Sequence, residues 1–220
     1  MLAQQIASDE IPFLKTTDAV EKASIWMDEF KVSHLPVLKE NQFLGIISEN
    51  AILDIEDWTD SLGNYELSLT NISVLESEHV LEVFKSIANH GLTVMAITTE
   101  NGGYAGSTTL QQIVNVVGTM SMVKDPGGVI EIEMNENDYS MGEIAQIVES
   151  DNAKILGTYI TESSDSKKLK LTIKVNKTNI LPILQTFERY QYNITASFFE
   201  DEQADVIDDR YNNLMRYLNI

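Results

Sequence analysis

The strongest constraint in this sequence is an internal repeat: the first half carries the same pattern of apolar residues, turn residues and glycine twice. From Thr17 to Phe30, the residues Ala19, Ala23, Trp26, Met27 and Phe30 fall at the spacing of one helix face. Val80, Phe84, Ile87, Ala88 and Gly91 repeat that face, displaced by about 61 residues. After the first helix, Val32 to Leu38 predicts a short buried strand, Lys39 to Gln42 a polar turn, and Phe43 to Ser48 a second strand. A helix opens at Glu49 with Ile52, Leu53 and Ile55. Thr93 to Thr98, Glu100 to Gly103, Tyr104 to Thr109 and Leu110 to Val117 take the same four roles in the second copy, where Gly106 matches Gly45 and Ile97 falls in register with Pro36. One copy is too short and too apolar on one side to stand alone. The two are expected to pack face to face, leaving a crevice with Ser48 on one side and Thr109 on the other.

Ser33-His34-Leu35-Pro36-Val37, followed by Phe43-Leu44-Gly45-Ile46-Ile47-Ser48, resembles the strand-turn-strand core of a CBS domain. The resemblance covers roughly the first half of the chain and implies a pair of CBS-like α/β repeats, a Bateman-type module, over residues 1–60 and 61–124. Members that hold adenosine compounds place a Thr or Ser at the end of the second strand and an Asp three residues later, whose carboxylate takes the ribose hydroxyls. Ser48 and Thr109 stand at the hydroxyl positions here, and Ala51 and Gln112 at the acid positions. Alanine offers no acceptor, whereas the Gln112 amide oxygen can take one hydroxyl, so the second site is the better equipped. The candidate ligand-binding residues are Lys15, His34, Ser48, Asn50, Thr109 and Gln112. His34 has two readings: a donor to a base or phosphate beside the crevice, or a neutral imidazole satisfied by backbone at a strand end. The implied ligand is an adenosine nucleotide or S-adenosylmethionine, and the alternative is a structural pair that drives dimerisation.

Charge narrows the partners. The chain carries 34 acidic and 15 basic residues, a formal net charge of −19, which repels nucleic acid and anionic membrane alike. Residues 1–118 hold five lysines and no arginine against 17 acids, a poor field for a triphosphate. A helix start at Glu49 or Leu110 still offers backbone N–H groups to a single phosphate. The absence of cysteine rules out a disulfide or thiolate site, and with no signal-like start or long apolar run the expectation is a cytoplasmic protein.

Asp125-Pro126-Gly127-Gly128 marks a break, and a second domain is expected over residues 125–199. Val129 to Met134 alternates as a half-buried strand. Ser140 and Glu143 form a capping pair for a helix that turns Ile144, Ile147 and Val148 inward. Strands at Ile155 to Thr161 and Leu169 to Val175 flank a polar loop, a helix runs from Asn179 with Pro182 in its first turn, and a last strand covers Asn193 to Phe199. This βαββαβ order is ferredoxin-like and resembles an ACT domain, making the whole chain α+β. Tyr139-Ser140 stands where amino-acid-binding members place a small pair, while Asn135, Asn137 and Asp138 supply polar groups in the loop. Residues 200–220 are read as an acidic segment leading to a C-terminal helix with Ile207, Tyr211, Leu214 and Leu218 on one face.

No nucleophile with a base, phosphate loop or histidine pair at metal spacing stands out, so a non-catalytic role with no metal is expected. CBS-plus-ACT chains of this size resemble proteins of acetoin utilisation. The reading is a regulatory homodimer, joined through the CBS-like pair, that senses a small metabolite and acts on a protein partner. Its rival is a constitutive scaffolding subunit with no ligand.

Overall fold

The computed structural model describes residues 1–65, 67–163 and 167–199. They fall into two compact units, Met1–Val117 and a second that begins at Gly118. The C-terminal helix expected within residues 200–220 lies outside the described residues.

In the first unit each repeat folds as a three-stranded sheet with helices. Repeat 1 has β1 (Leu14–Lys15), α1 (Val20–Phe30), β2 (His34–Lys39), β3 (Gln42–Ser48) and α2 (Glu49–Leu53). Repeat 2 has β4 (Ser73–Leu75), α3 (Val80–His90), β5 (Val94–Thr98), β6 (Tyr104–Thr109) and α4 (Leu110–Thr119). In both sheets a short parallel strand joins an antiparallel hairpin, in the orders β1-β2-β3 and β4-β5-β6. The helices form where apolar residues recur on one face: Val20, Ala23 and Met27 are buried on α1, and Val80, Val83 and Ile87 on α3. Both helices end in a left-handed residue, Lys31 at φ 55° and Gly91 at φ 62°.

These pairs correct the uniform displacement read from sequence. Val20 corresponds to Val80 and Lys31 to Gly91, a shift of 60. The strands agree, since Leu14 pairs with Val37 as Val74 pairs with Ile97. Ile97 therefore matches Val37, not Pro36. Val37 faces Gly45 and Ile97 faces Gly106, so the shift becomes 61 only after the turn, which is one residue longer in repeat 2.

The repeats interlock. Val94 of repeat 2 is buried in the core of repeat 1 with Leu35, Ile47 and Ile52, while Ile46 of repeat 1 lies in the core of repeat 2 with Met95 and Ile97. Each exchanged side chain buries about 1.5–3 kcal/mol of apolar surface that a separate repeat would leave wet. The hairpin tips also join, through Phe43 N to Gly102 O at 3.2 Å and Tyr104 N to Asn41 O at 3.2 Å. The matched glycines let a segment of chain cross each sheet. A Cβ on Gly45 would lie 2.8 Å from Leu69 Cβ, and one on Gly106 would lie 3.3 Å from both Ala7 Cβ and Ser8 O.

The second unit opens with a short helix, α5 (Ser121–Lys124), which sequence periodicity did not signal; Gly157 lies against its Met122. The unit therefore begins ahead of the Asp125–Gly128 break. It continues with β7 (Val129–Asn135), α6 (Met141–Ser150), β8 (Ile155–Glu162), β9 (Lys168–Val175), α7 (Leu181–Arg189) and β10 (Asn193–Phe198). The antiparallel order β10-β7-β9-β8 is the ferredoxin-like arrangement. Ile144, Ile147 and Val148 of α6 pack with Ile183 and Phe187 of α7 on Ile130, Ile132, Leu171 and Ile173. Ser140 caps α6 by accepting from Glu143 N.

Candidate functional site

The joint between the repeats is built from the starts of β2 and β5. Thr93 Oγ accepts from Ser33 N at 3.0 Å and lies 3.1 Å from His34 Nδ1, which also accepts from Thr93 N at 3.2 Å. Two donors converging on Nδ1 fix the neutral tautomer, with its proton on Nε2. Burial lowers the affinity of His34 for a second proton, outweighing the opposing pull of the Glu49 carboxylate. His34 thus ties one repeat to the other.

Both helix starts adjoin this joint. Ser48 pairs with His34 across β2–β3, and Thr109 pairs with Val94 across β5–β6. Glu49 N donates to Ser33 O at 2.9 Å and Leu110 N to Thr93 O at 3.1 Å, equivalent bonds that hold each helix start to the partner segment of its own repeat. Ser48 Oγ accepts from Ala51 N at 3.3 Å, and Thr109 Oγ accepts from Gln112 N at 3.1 Å. Both hydroxyls cap their helices.

The two sides differ beyond the caps. Gln112 Oε1 accepts from Thr109 N at 2.9 Å and from the Thr108 hydroxyl at 3.1 Å, and its Nε2 donates to Ser8 Oγ at 3.0 Å and to the Glu10 carboxylate at 2.7 Å. The amide oxygen expected to be open to a ribose hydroxyl is already shared by two donors. On the first side Ala51 makes no such claim. It lines a cavity of about 560 Å³ with Asp54, Ile55, Glu56, Asp57, Tyr65, Leu67 and Ser68. Tyr104 and Ser107 carry buried hydroxyl oxygens, and burial raises the Tyr104 phenol above its usual range against a smaller opposing pull from the Ser107 hydroxyl.

The remaining candidates separate. Asn50 is exposed in the first turn of α2. Lys15 lies opposite Leu38, four residues along β2 from His34, which is about 13 Å at the usual strand rise. It lines cavities with Phe13 and Leu38 and with Asp18, Lys22 and Trp26, and is not brought to Ser48. Residues that the sequence did not single out, Thr93, Ser8 and Glu10, carry the joint and the second-side network. Among the described residues no group of three or more His, Asp or Glu is placed to hold a metal ion, and no helix is long and apolar enough to cross a membrane.

Residues 3–56 match the family model of the CBS domain. Several solved structures are similar to about half of the chain at low identity. A CBS domain pair/ACT domain protein from Thermotoga maritima is 18% identical, with 53% of this chain and 96% of that one covered and a TM-score of 0.48. A protein named for acetoin utilization from Vibrio cholerae is 16% identical, covering 53% and 90% at a TM-score of 0.47. A CBS domain pair in complex with 5′-methylthioadenosine and S-adenosyl-L-methionine is 18% identical, covering 54% and 96% at 0.43.

Proposed function

We propose that this is a non-catalytic, cytoplasmic regulatory protein whose paired CBS-like repeats sense an adenosine-type metabolite, binding on the Ser48 side of the inter-repeat crevice. The observation that carries the reading is the convergence of both helix starts on the His34–Thr93 joint. A ligand seated at Ser48 would touch the hydrogen bonds that hold one repeat against the other, so occupancy couples to the relation between them. Electrostatics favours S-adenosylmethionine over a nucleotide. The open cavity beside Ala51 is rimmed by Asp54, Glu56 and Asp57, which attract a sulfonium or ammonium group and repel phosphates. A homodimer through the first unit is part of the proposal, since Ile25, Leu53, Leu81, Leu110 and Val114 expose large apolar side chains on its helices. The ferredoxin-like unit, which resembles an ACT domain, passes the state on to a protein partner.

A scaffolding role without ligand is the second reading, favoured by Ala51, which cannot accept a ribose hydroxyl. Thermal-shift titration with adenosine, AMP, ATP, S-adenosylmethionine and amino acids separates the two. A sensor at a hundred times its Kd gains about 2.7 kcal/mol, a shift on the order of 10 °C. S-adenosylmethionine is expected to give the largest shift, and no shift with any compound would favour the scaffold.

A further inference from the structure

The two sides are built from equivalent positions of the two repeats, so they can be compared position by position. Thr70 exchanges two backbone hydrogen bonds with Ile46, each at 2.9 Å, and Ser8 exchanges two with Ser107 at 2.9 and 3.0 Å. Thr70 is therefore the counterpart of Ser8, and Ala51 of Gln112. The stretch Ser8–Leu14 is two residues longer than Thr70–Val74, and Ile72 packs on the core of repeat 2 as Ile11 packs in that of repeat 1, so Glu10 has no matching acid on the Ser48 side. There Thr70 keeps a hydroxyl but Ala51 offers only a methyl group, whereas on the Thr109 side Ser8, Glu10 and Gln112 form a closed network in which both amide atoms of Gln112 are saturated, two donors on Oε1 and two acceptors on Nε2.

We infer that segment Ser8–Glu10 is a built-in clasp that holds the Thr109 crevice shut, leaving the Ser48 crevice as the one open to a ligand. The backbone ladder is common to both sides; the asymmetry lies in the side chains. Gln112 reaches across from α4 to a segment a hundred residues earlier and fixes it over β6. Opening that crevice would require Gln112 to give up Ser8 Oγ and Glu10 together. The clasp itself does not depend on the sensor reading, but the stoichiometry it imposes rests on it.

The test uses hydrogen exchange on the full chain, followed by calorimetry. Q112E keeps acceptors for Thr109 N and the Thr108 hydroxyl, so the cap of α4 survives, but it cannot donate and places a second carboxylate against Glu10. E10Q keeps an acceptor for Gln112 Nε2. The double variant Q112E/E10Q restores a donor and acceptor in reversed order. Exchange of the Ser8 amide is expected to speed up about tenfold or more in Q112E, to stay near wild type in E10Q, and to return to within about threefold in the double variant. Unchanged exchange in Q112E, or no recovery in the double variant, overturns the clasp. Titration with S-adenosylmethionine is expected to give one equivalent per wild-type chain, and two equivalents with Ser8 still protected would also overturn it. Absence of heat in every protein counts against the sensor reading alone, because the exchange rates still decide the clasp.

Discussion

Replacing Thr93 with valine removes one oxygen from the joint and almost nothing else. That oxygen accepts from Ser33 N at 3.0 Å and lies 3.1 Å from His34 Nδ1. Valine keeps the branched shape, so packing changes little, while the Ser33 amide loses its partner in a half-buried position. One neutral hydrogen bond lost with His34 is worth about 1 kcal/mol, and an amide left partly unsatisfied costs roughly another 1, so Thr93→Val should cost about 2 kcal/mol. For a unit of this size that lowers Tm by about 6–10 °C. The assay is clean because both tryptophans, Trp26 and Trp58, pack on the core of repeat 1, so denaturant unfolding followed by their fluorescence reports on the first unit. A double-mutant cycle with His34→Ala should return a coupling of about 1 kcal/mol, since the two side chains are in direct contact. A loss below about 0.5 kcal/mol, or strict additivity, would show that the Thr93 hydroxyl does not help to hold the repeats together.

His34 also makes stability depend on pH. Its folded-state pKa lies below the ordinary 6.5, mainly through burial, so the unfolded chain takes up a proton that the folded chain refuses as pH drops below 6.5. The stabilisation is complete above 6.5 and is lost progressively as pH falls towards the folded value. The variant His34→Asn, whose amide oxygen can replace Nδ1 as acceptor, should flatten the stability curve below pH 6.5 relative to wild type; parallel curves would refute the assignment. Ala51→Asp supplies the carboxylate that the resemblance expects on the open side, and should tighten S-adenosylmethionine or adenosine binding by about tenfold or more, as two charged hydrogen bonds to ribose would. Calorimetry showing no gain would mean that the ribose does not lie beside residue 51.

Much of the fold was legible because short-range periodicity carries it. The apolar spacing of α1 and α3, the alternation of β7 and the Ser140 cap each depend on residues within a few positions of one another. The uniform displacement of 61 failed for a definite reason. The connection from Ile97 to Gly106 is longer by one residue than that from Val37 to Gly45, and comparison without a gap slides the first helix and strand by one position. That slip matched Phe84 to Ala23, although Val83 is the buried counterpart. The site was less legible because its bonds span the chain. Nothing near Gln112 signals that its amide will be taken up by Ser8 and Glu10, and nothing near His34 names Thr93. Lys15 looked available as a rare cation, yet strand register places it at the other end of β2. The paired glycines were the one local sign of tertiary structure, since Gly45 and Gly106 mark where another segment crosses each sheet.

Backbone amide NMR of the full chain during titration with S-adenosylmethionine tests the account most directly. Saturable shifts at Ser48, Glu49 and Ala51, spreading to Thr93 across the joint and sparing Gln112, are the predicted result. Shifts centred on Thr109 and Gln112, or none that saturate, would contradict it.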